Sequence, residues 1–100
     1  MLDTFTEAAM DEGQTTKARV QFYTRAGCHL CDEAKAEIAR AGCPHLFDLE
    51  EIDIDTDPRL ASLYGYDIPV VTIDGAHAFK HRLTAADFRR EIDRAIVARR

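Results

Sequence analysis

The chain has 100 residues, with 13 Lys and Arg against 18 Asp and Glu, four His and three Cys, for a formal net charge of −5. No apolar run approaches the roughly 20 residues that cross a bilayer, and the acidic N-terminus resembles neither a secretory signal nor a transit peptide. The charge argues against a general nucleic-acid binder, and three cysteines, an odd and small number, argue against a disulfide-stapled secreted module.

The first sixteen residues carry Asp3, Glu7, Asp11 and Glu12, no Lys or Arg, and no sustained apolar period. They are expected to form a disordered tail (residues 1–16) ahead of one folded domain (residues 17–100). Without those four acids, 14 acids remain against 13 bases, so the domain stands near −1. About 84 residues suffice for a single small core.

In chain order, Ala18 to Thr24 reads as a strand, with Val20, Phe22 and Tyr23 as β-formers. Arg25-Ala26-Gly27 breaks it. From His29 to Ala41 the composition is helical, with Leu30, Ala34, Ile38 and Ala41 predicted to form one apolar stripe. Asp32 and Glu33 in the first turn and Arg40 in the last suit the helix dipole. Gly42 and Pro44 stop the helix.

Leu49 to Ile54 reads as a second strand with Ile52 and Ile54 on one face. Thr56-Asp57-Pro58 opens a short helix that ends at Tyr64-Gly65. Val70 to Ile73, Asp74-Gly75 and Ala76 to Phe79 form a β-hairpin signal. Thr84 caps a last helix with Ala85, Phe88, Ile92, Ala95 and Ile96 on one stripe. The order β-α-β-α-β-β-α predicts an α/β domain: a right-handed parallel crossover, then an antiparallel hairpin, in a four-stranded mixed sheet covered by helices.

The chemistry sits in Cys28-His29-Leu30-Cys31, where the first strand hands over to the first helix. A cysteine just before a helix N-terminus faces unpaired backbone N–H groups and the positive end of the dipole, which favour thiolate over thiol. One turn on, the second cysteine can attack a mixed disulfide at the first. Cys28 is therefore the expected nucleophile and Cys31 the resolving thiol. Arg25 and protonated His29 would lower the Cys28 pKa, while Asp32 and Glu33 would raise it. The expected outcome is a moderate depression, well short of the ~3.5 of the most acidic thiols.

Tyr23 to Cys31 after a strand, with Asp67-Ile68-Pro69-Val70 before a hairpin, resembles glutaredoxins and the wider thioredoxin superfamily, in particular small bacterial glutaredoxin-like proteins. The resemblance runs from Ala18 to Ala98 and implies a three-layer thioredoxin-like fold of the glutaredoxin type. It further implies a cis peptide bond at Pro69 beside the thiols, with the Ile68 backbone left to pair with substrate or glutathione. Arg25 matches a position where glutaredoxins place a basic residue against a glutathione carboxylate. The sequence departs from the family at Lys80-His81-Arg82-Leu83-Thr84, which lacks the usual Gly-Gly pair; bulky His81 and Arg82 put high-affinity glutathione use in question.

Metal binding is the rival reading, because Cys28, Cys31, Cys43 and His45 are zinc-type ligands in order. A helix between Cys31 and Cys43 would hold them roughly 15 Å apart, whereas sulfurs sharing zinc lie within about 4 Å. Cys43 reads as a partly buried loop residue, with an accessory thiol as its functional alternative. The acidic run Asp48, Glu50, Glu51, Asp53, Asp55 and Asp57 reads as a solvated edge, since an alternating strand cannot turn all six onto one ion. From Lys80 to Arg100, seven bases against three acids make the C-terminal part basic.

The expectation is a cytoplasmic, monomeric dithiol oxidoreductase that reduces protein or low-molecular-weight disulfides. Catalysis falls to Cys28 and Cys31, and substrate contacts to Arg25, His29, Ile68 and Pro69. No bound cofactor or metal is expected; electrons would come from glutathione, as reductant or co-substrate, or from a thioredoxin-type reductase. The alternative is a non-cycling binding module or metal- or cluster-relay adaptor using the same thiols.

Overall fold

A computed structural model of the protein describes residues 17–99. The expected tail, residues 1–16, lies outside the described residues. The chain runs β1 (Ala18–Thr24), α1 (His29–Arg40), a 3₁₀ turn (Pro44–Leu46), β2 (Phe47–Asp53), a second 3₁₀ turn (Ile54–Thr56), α2 (Pro58–Tyr64), β3 (Val70–Ile73), β4 (Ala76–Lys80) and α3 (Ala85–Ala98). The sheet order is β2-β1-β3-β4. β1 pairs with β2 in parallel, Val20 opposite Leu49, and with β3 antiparallel, Phe22 opposite Val71. This is the mixed four-stranded sheet read from the sequence.

Alternation along β1 separates the two faces of the sheet. Ala18, Val20 and Phe22 are buried and join Val71 and Ile73 in one core with Cys31, Ala34 and Ile38 of α1 and Phe88, Ile92 and Ile96 of α3. Phe88 meets Phe47 edge to face at 5.2 Å between centroids. Tyr23 projects to the other face, where its ring lies 4.7 Å from that of Tyr64 in α2. Helices thus cover both faces, which makes three layers.

The hairpin turn is Asp74-Gly75, both with positive φ (52° and 86°), the backbone of a tight two-residue loop. Asp74 also anchors it: Arg19 N–H donates to Oδ1 at 2.9 Å, and Arg99 from the end of α3 reaches Oδ2 at 2.5 Å. Between β3 and β4 the register slips at Val71 and Thr72, which pair with Phe79 and His77, so β4 carries one extra residue and a bulge. Thr84 caps α3 by accepting from the Asp87 N–H at 3.1 Å, and the Glu37 carboxylate of α1 accepts from the Ala85 N–H at 2.9 Å.

Two details depart from the sequence reading. β2 is Phe47–Asp53 rather than residues 49–54, because the turn begun by Pro44 delivers Phe47 straight into the sheet, and Ile54 is buried at a 3₁₀ turn instead. β2 is an edge strand, where acidic side chains stay hydrated. The buried stripe of α1 is Cys31, Ala34 and Ile38, with Leu30 and Ala41 only half-buried.

Candidate active site

Two elements deliver the cysteines. β1 ends at Thr24, Gly27 turns the chain with φ 78°, and Cys28 becomes the N-cap of α1. Its Sγ accepts from the Cys31 N–H at 3.0 Å, and its carbonyl accepts from the Asp32 N–H at 3.2 Å. The dipole of a 12-residue helix therefore begins at this sulfur. Cys28 and Cys31 are joined as a disulfide across a Cα–Cα distance of 5.2 Å.

Burial distinguishes the two sulfurs. Cys31 is 1 % exposed and belongs to the core stripe of α1. Cys28 is half-buried at the helix tip. An approaching thiol or disulfide meets Cys28 first, and Cys31 is within reach only of its neighbour. This asymmetry follows from a one-residue rotation of the helix, with Cys31 rather than Leu30 facing inward.

Pro69 and His81 reach the same end of the sheet. Val70 opens β3 opposite Tyr23 and pairs with Lys80, the last residue of β4. Residues 66–69 and 81 therefore lie beside the turn that carries Cys28. The Ile68–Pro69 peptide bond is cis, Pro69 is buried, and Ile68 packs against the core together with Cys28. The Ile68 N–H is already donated to the Tyr64 carbonyl at 3.1 Å, so only its carbonyl is left for a partner. The expectation of a wholly available Ile68 backbone is narrowed to one acceptor.

Arg25 is not aimed at the thiols. Its Nε and one terminal nitrogen grip the two oxygens of Asp55 at 3.2 and 2.6 Å. The hydrogen bond from Arg25 holds the Asp55 carboxyl below its ordinary pKa, and Asp55 raises that of Arg25. The cation that the sequence placed beside Cys28 is largely offset by this carboxylate. His29 projects into solvent, with Nε2 3.6 Å from Glu33 Oε2; Glu33 also stands 3.7 Å from Arg82. A groove of about 720 Å³ opens next to Leu30, between α1 and the β4–α3 connection, with Ala34, Phe79 and Leu83 as its apolar lining and Arg82 on its wall.

Cys43 lies beyond the far end of α1 with no surface exposure, in the core. Burial pushes its thiol pKa up, and Arg89 partly opposes this. Its position corrects the accessory-thiol alternative, which needs a reachable sulfur. The six acidic residues from Asp48 to Asp57 each have their own partner: Lys17, Gln21, Lys35, the Asp55 N–H, Arg25 and the Arg59 N–H. They form an edge of separate contacts and not one site. The sequence reading missed Asp55 as the partner of Arg25, His81 as a contact of the Pro69 loop, and Tyr66, which is 98 % exposed next to that loop. The two contacts join residues far apart in sequence, and only Tyr66, following a helix-ending glycine, carried a local signal.

The layers, the N-capping Cys28 and the buried Cys31 define a thioredoxin-fold protein whose CxxC pair points to a redox role. The chain belongs to the Glutaredoxin-like domain family (DUF836), whose model matches residues 19–93. It is 40 % identical over 70 residues to a glutaredoxin-like protein of Dictyostelium discoideum, covering 64 % of this chain and 65 % of the relative. It is 32 % identical over 80 residues to an uncharacterized protein of Mycobacterium tuberculosis, covering 70 % and 82 %. Among solved structures, a structural-genomics target protein from X. campestris superposes with a TM-score of 0.66 at 29 % identity, covering 75 % of this chain and 96 % of the other. Chloroplastic thioredoxin z matches with a TM-score of 0.66 at 15 % identity over 91 % of this chain and 89 % of its own, a likeness of fold. No helix among the described residues is long and apolar enough to cross a membrane.

Proposed function

We propose that the protein is a dithiol thiol–disulfide oxidoreductase that reduces protein or low-molecular-weight disulfides. The observation that carries this reading is the unequal burial of two sulfurs already close enough to bond: Cys28 at the helix tip and Cys31 in the core. In the reduced protein the Cys28 thiolate, favoured by the Cys31 N–H and the helix dipole, attacks one sulfur of the substrate. A mixed disulfide forms and the first substrate thiol leaves. Cys31 then loses its proton and attacks the Cys28 sulfur, releasing the second substrate thiol. The substrate gains two electrons and the protein ends as the Cys28–Cys31 disulfide.

Two external thiols must return the protein to its reduced form, and glutathione or a thioredoxin-type reductase in the cytoplasm could supply them. The Arg25–Asp55 pair and the bulky His81 and Arg82 disfavour tight glutathione binding and favour a larger partner, with Ile68 and Pro69 as its contact. A coupled assay with a disulfide substrate, run once with glutathione and its reductase and once with NADPH and thioredoxin reductase, tests the reading. Turnover with at least one donor is expected, abolished in Cys28→Ser; no turnover with either refutes it.

A further inference from the structure

The groove that opens beside Leu30 has an apolar floor and an acidic wall. Leu30, Ala34 and Glu37 repeat along one face of α1, with Glu33 next to them. Leu83 faces them from the β4–α3 connection and Asp87 from the first turn of α3. Arg82 is the one guanidinium in the lining, and Glu33 offsets it at 3.7 Å. Glu37 and Asp87 have their cations elsewhere: Arg40 stands 3.6 Å from Glu37 and Arg90 pairs with Asp87, but neither arginine lines the groove.

The start of a helix would ordinarily draw an anion through its free N–H groups. At α3 these donors are already engaged. Ala85 N–H donates to Glu37 Oε1 at 2.9 Å, Asp87 N–H to the Thr84 hydroxyl at 3.1 Å and Phe88 N–H to the Thr84 carbonyl at 2.9 Å. An anion in the groove therefore meets carboxylates without gaining these three donors. The surrounding sheet end has the same sign. β1 and β2 run parallel, so Asp53, Asp55 and Asp57 follow β2 where Cys28 follows β1. Asp67 before β3 and Asp32 in α1 lie at that end too, and together these acids outnumber its bases Arg25, Arg59 and Lys80.

We infer that this groove selects a cationic disulfide-bearing polypeptide, taking an apolar side chain beside the substrate cysteine and a Lys or Arg further along. The inference rests on the proposed thiol–disulfide exchange and names its substrate class. Leu30 and Glu37 are seven positions apart on α1, about 10 Å at 1.5 Å per residue. Extended chain covers that distance in about three residues. A substrate whose disulfide meets Cys28 thus lays its neighbouring side chain on Leu30 and Ala34 and brings the third residue along to Glu37 and Asp87.

The test mixes pre-reduced protein, in single turnovers, with excess disulfide peptides that carry Leu beside the cysteine and Lys, Gln or Glu three positions from it on both sides. Each efficiency is divided by that of the same peptide with dithiothreitol, which removes the intrinsic reactivity of the disulfide. At about 10 mM ionic strength the wild type should favour the Lys over the Glu peptide roughly tenfold, with Gln between, and about 0.5 M salt should shrink this to within about twofold. Glu37→Gln combined with Asp87→Asn keeps the shape and removes both charges, so the low-salt preference should fall to about threefold or less. Asp48→Asn, at the opposite end of β2, should keep the wild-type preference. Replacing the Leu of the Lys peptide by Ser should raise the half-saturating concentration roughly fivefold, the worth of a half-buried Leu.

Equal efficiency for the Lys and Glu peptides, or a preference for Glu, overturns the inference and leaves thiol–disulfide exchange standing. A preference that survives in the double variant, that Asp48→Asn also erases, or that ignores the Leu overturns its assignment to the groove. A wild type inert to all the peptides overturns the proposed function itself. The peptide and salt series need only the wild type, so the inference stays open to refutation whatever the stability of the variants.

Discussion

Cys43 offers a sharp test of the division between a working pair and a structural thiol. The side chain has no exposure and lies in the core, so reagent can reach it only when the domain opens. In the oxidised protein Cys28 and Cys31 are bonded and Cys43 is the one free thiol. For a domain stable by on the order of 5 kcal/mol, a thiol that reacts only through unfolding is labelled about 10³–10⁴ times more slowly than in denaturant. Cys43→Ala removes one buried sulfur, comparable to a methyl group, and should cost about 1 kcal/mol in urea unfolding. It should leave disulfide reduction within about twofold of wild type. Burial also raises the Cys43 pKa, so the folded protein keeps this proton to higher pH than the unfolded chain. That contribution to stability is complete below the ordinary thiol pKa and is lost as pH rises through the folded value. Oxidised wild type should therefore lose stability over that alkaline range more steeply than oxidised Cys43→Ala. Labelling at the denatured rate under native conditions, or a tenfold loss of activity in Cys43→Ala, would refute the assignment.

Three further outcomes follow from named contacts. Asp55→Asn removes the carboxylate that offsets Arg25, so the thiolate absorbance of reduced protein should titrate at lower pH than in wild type; an unchanged or higher midpoint contradicts this. Because Arg25 depresses the Asp55 pKa, the pair contributes fully above the ordinary carboxylate pKa and is lost as pH falls through the folded value. Acid titrations of stability should thus be shallower in Asp55→Asn. Phe88→Ala empties a fully buried site packed edge to face on Phe47 and should cost about 3–5 kcal/mol by urea denaturation; a loss below about 1 kcal/mol contradicts the packing described.

Much of the fold could be read from local pattern. β1, α1, the Asp74-Gly75 hairpin and α3 each carried their own signal: β-formers, helix formers behind a capping residue, a two-residue turn, and a stripe from Phe88 to Ile96. β2 was misplaced by two residues because its first inward residue, Phe47, sits before Asp48 and its acids mask the alternation. The CxxC pair was legible from placement, since a cysteine between a strand and a helix can only be an N-cap or nearly so. Which cysteine is buried was not legible: the stripe that joins Leu30 to Ala34 fits the period as well as the one that starts from Cys31, and the sheet chooses between them. The partners of Arg25 and of the Pro69 loop, Asp55 and His81, were invisible for a different reason. They are 30 and 12 or more positions away, and nothing in a one-dimensional pattern ties one acid or histidine among several to a particular cation or carbonyl.

The central claim is the division of labour between the two cysteines. It is tested most directly by mixing reduced Cys31→Ser and reduced Cys28→Ser, each with a disulfide peptide, and reading intact masses after acid quenching. The account predicts that Cys31→Ser accumulates a mixed disulfide through Cys28, one peptide thiol heavier, while Cys28→Ser, its remaining motif sulfur buried, forms none on the same timescale. Equal trapping in both variants, or trapping only in Cys28→Ser, would contradict it.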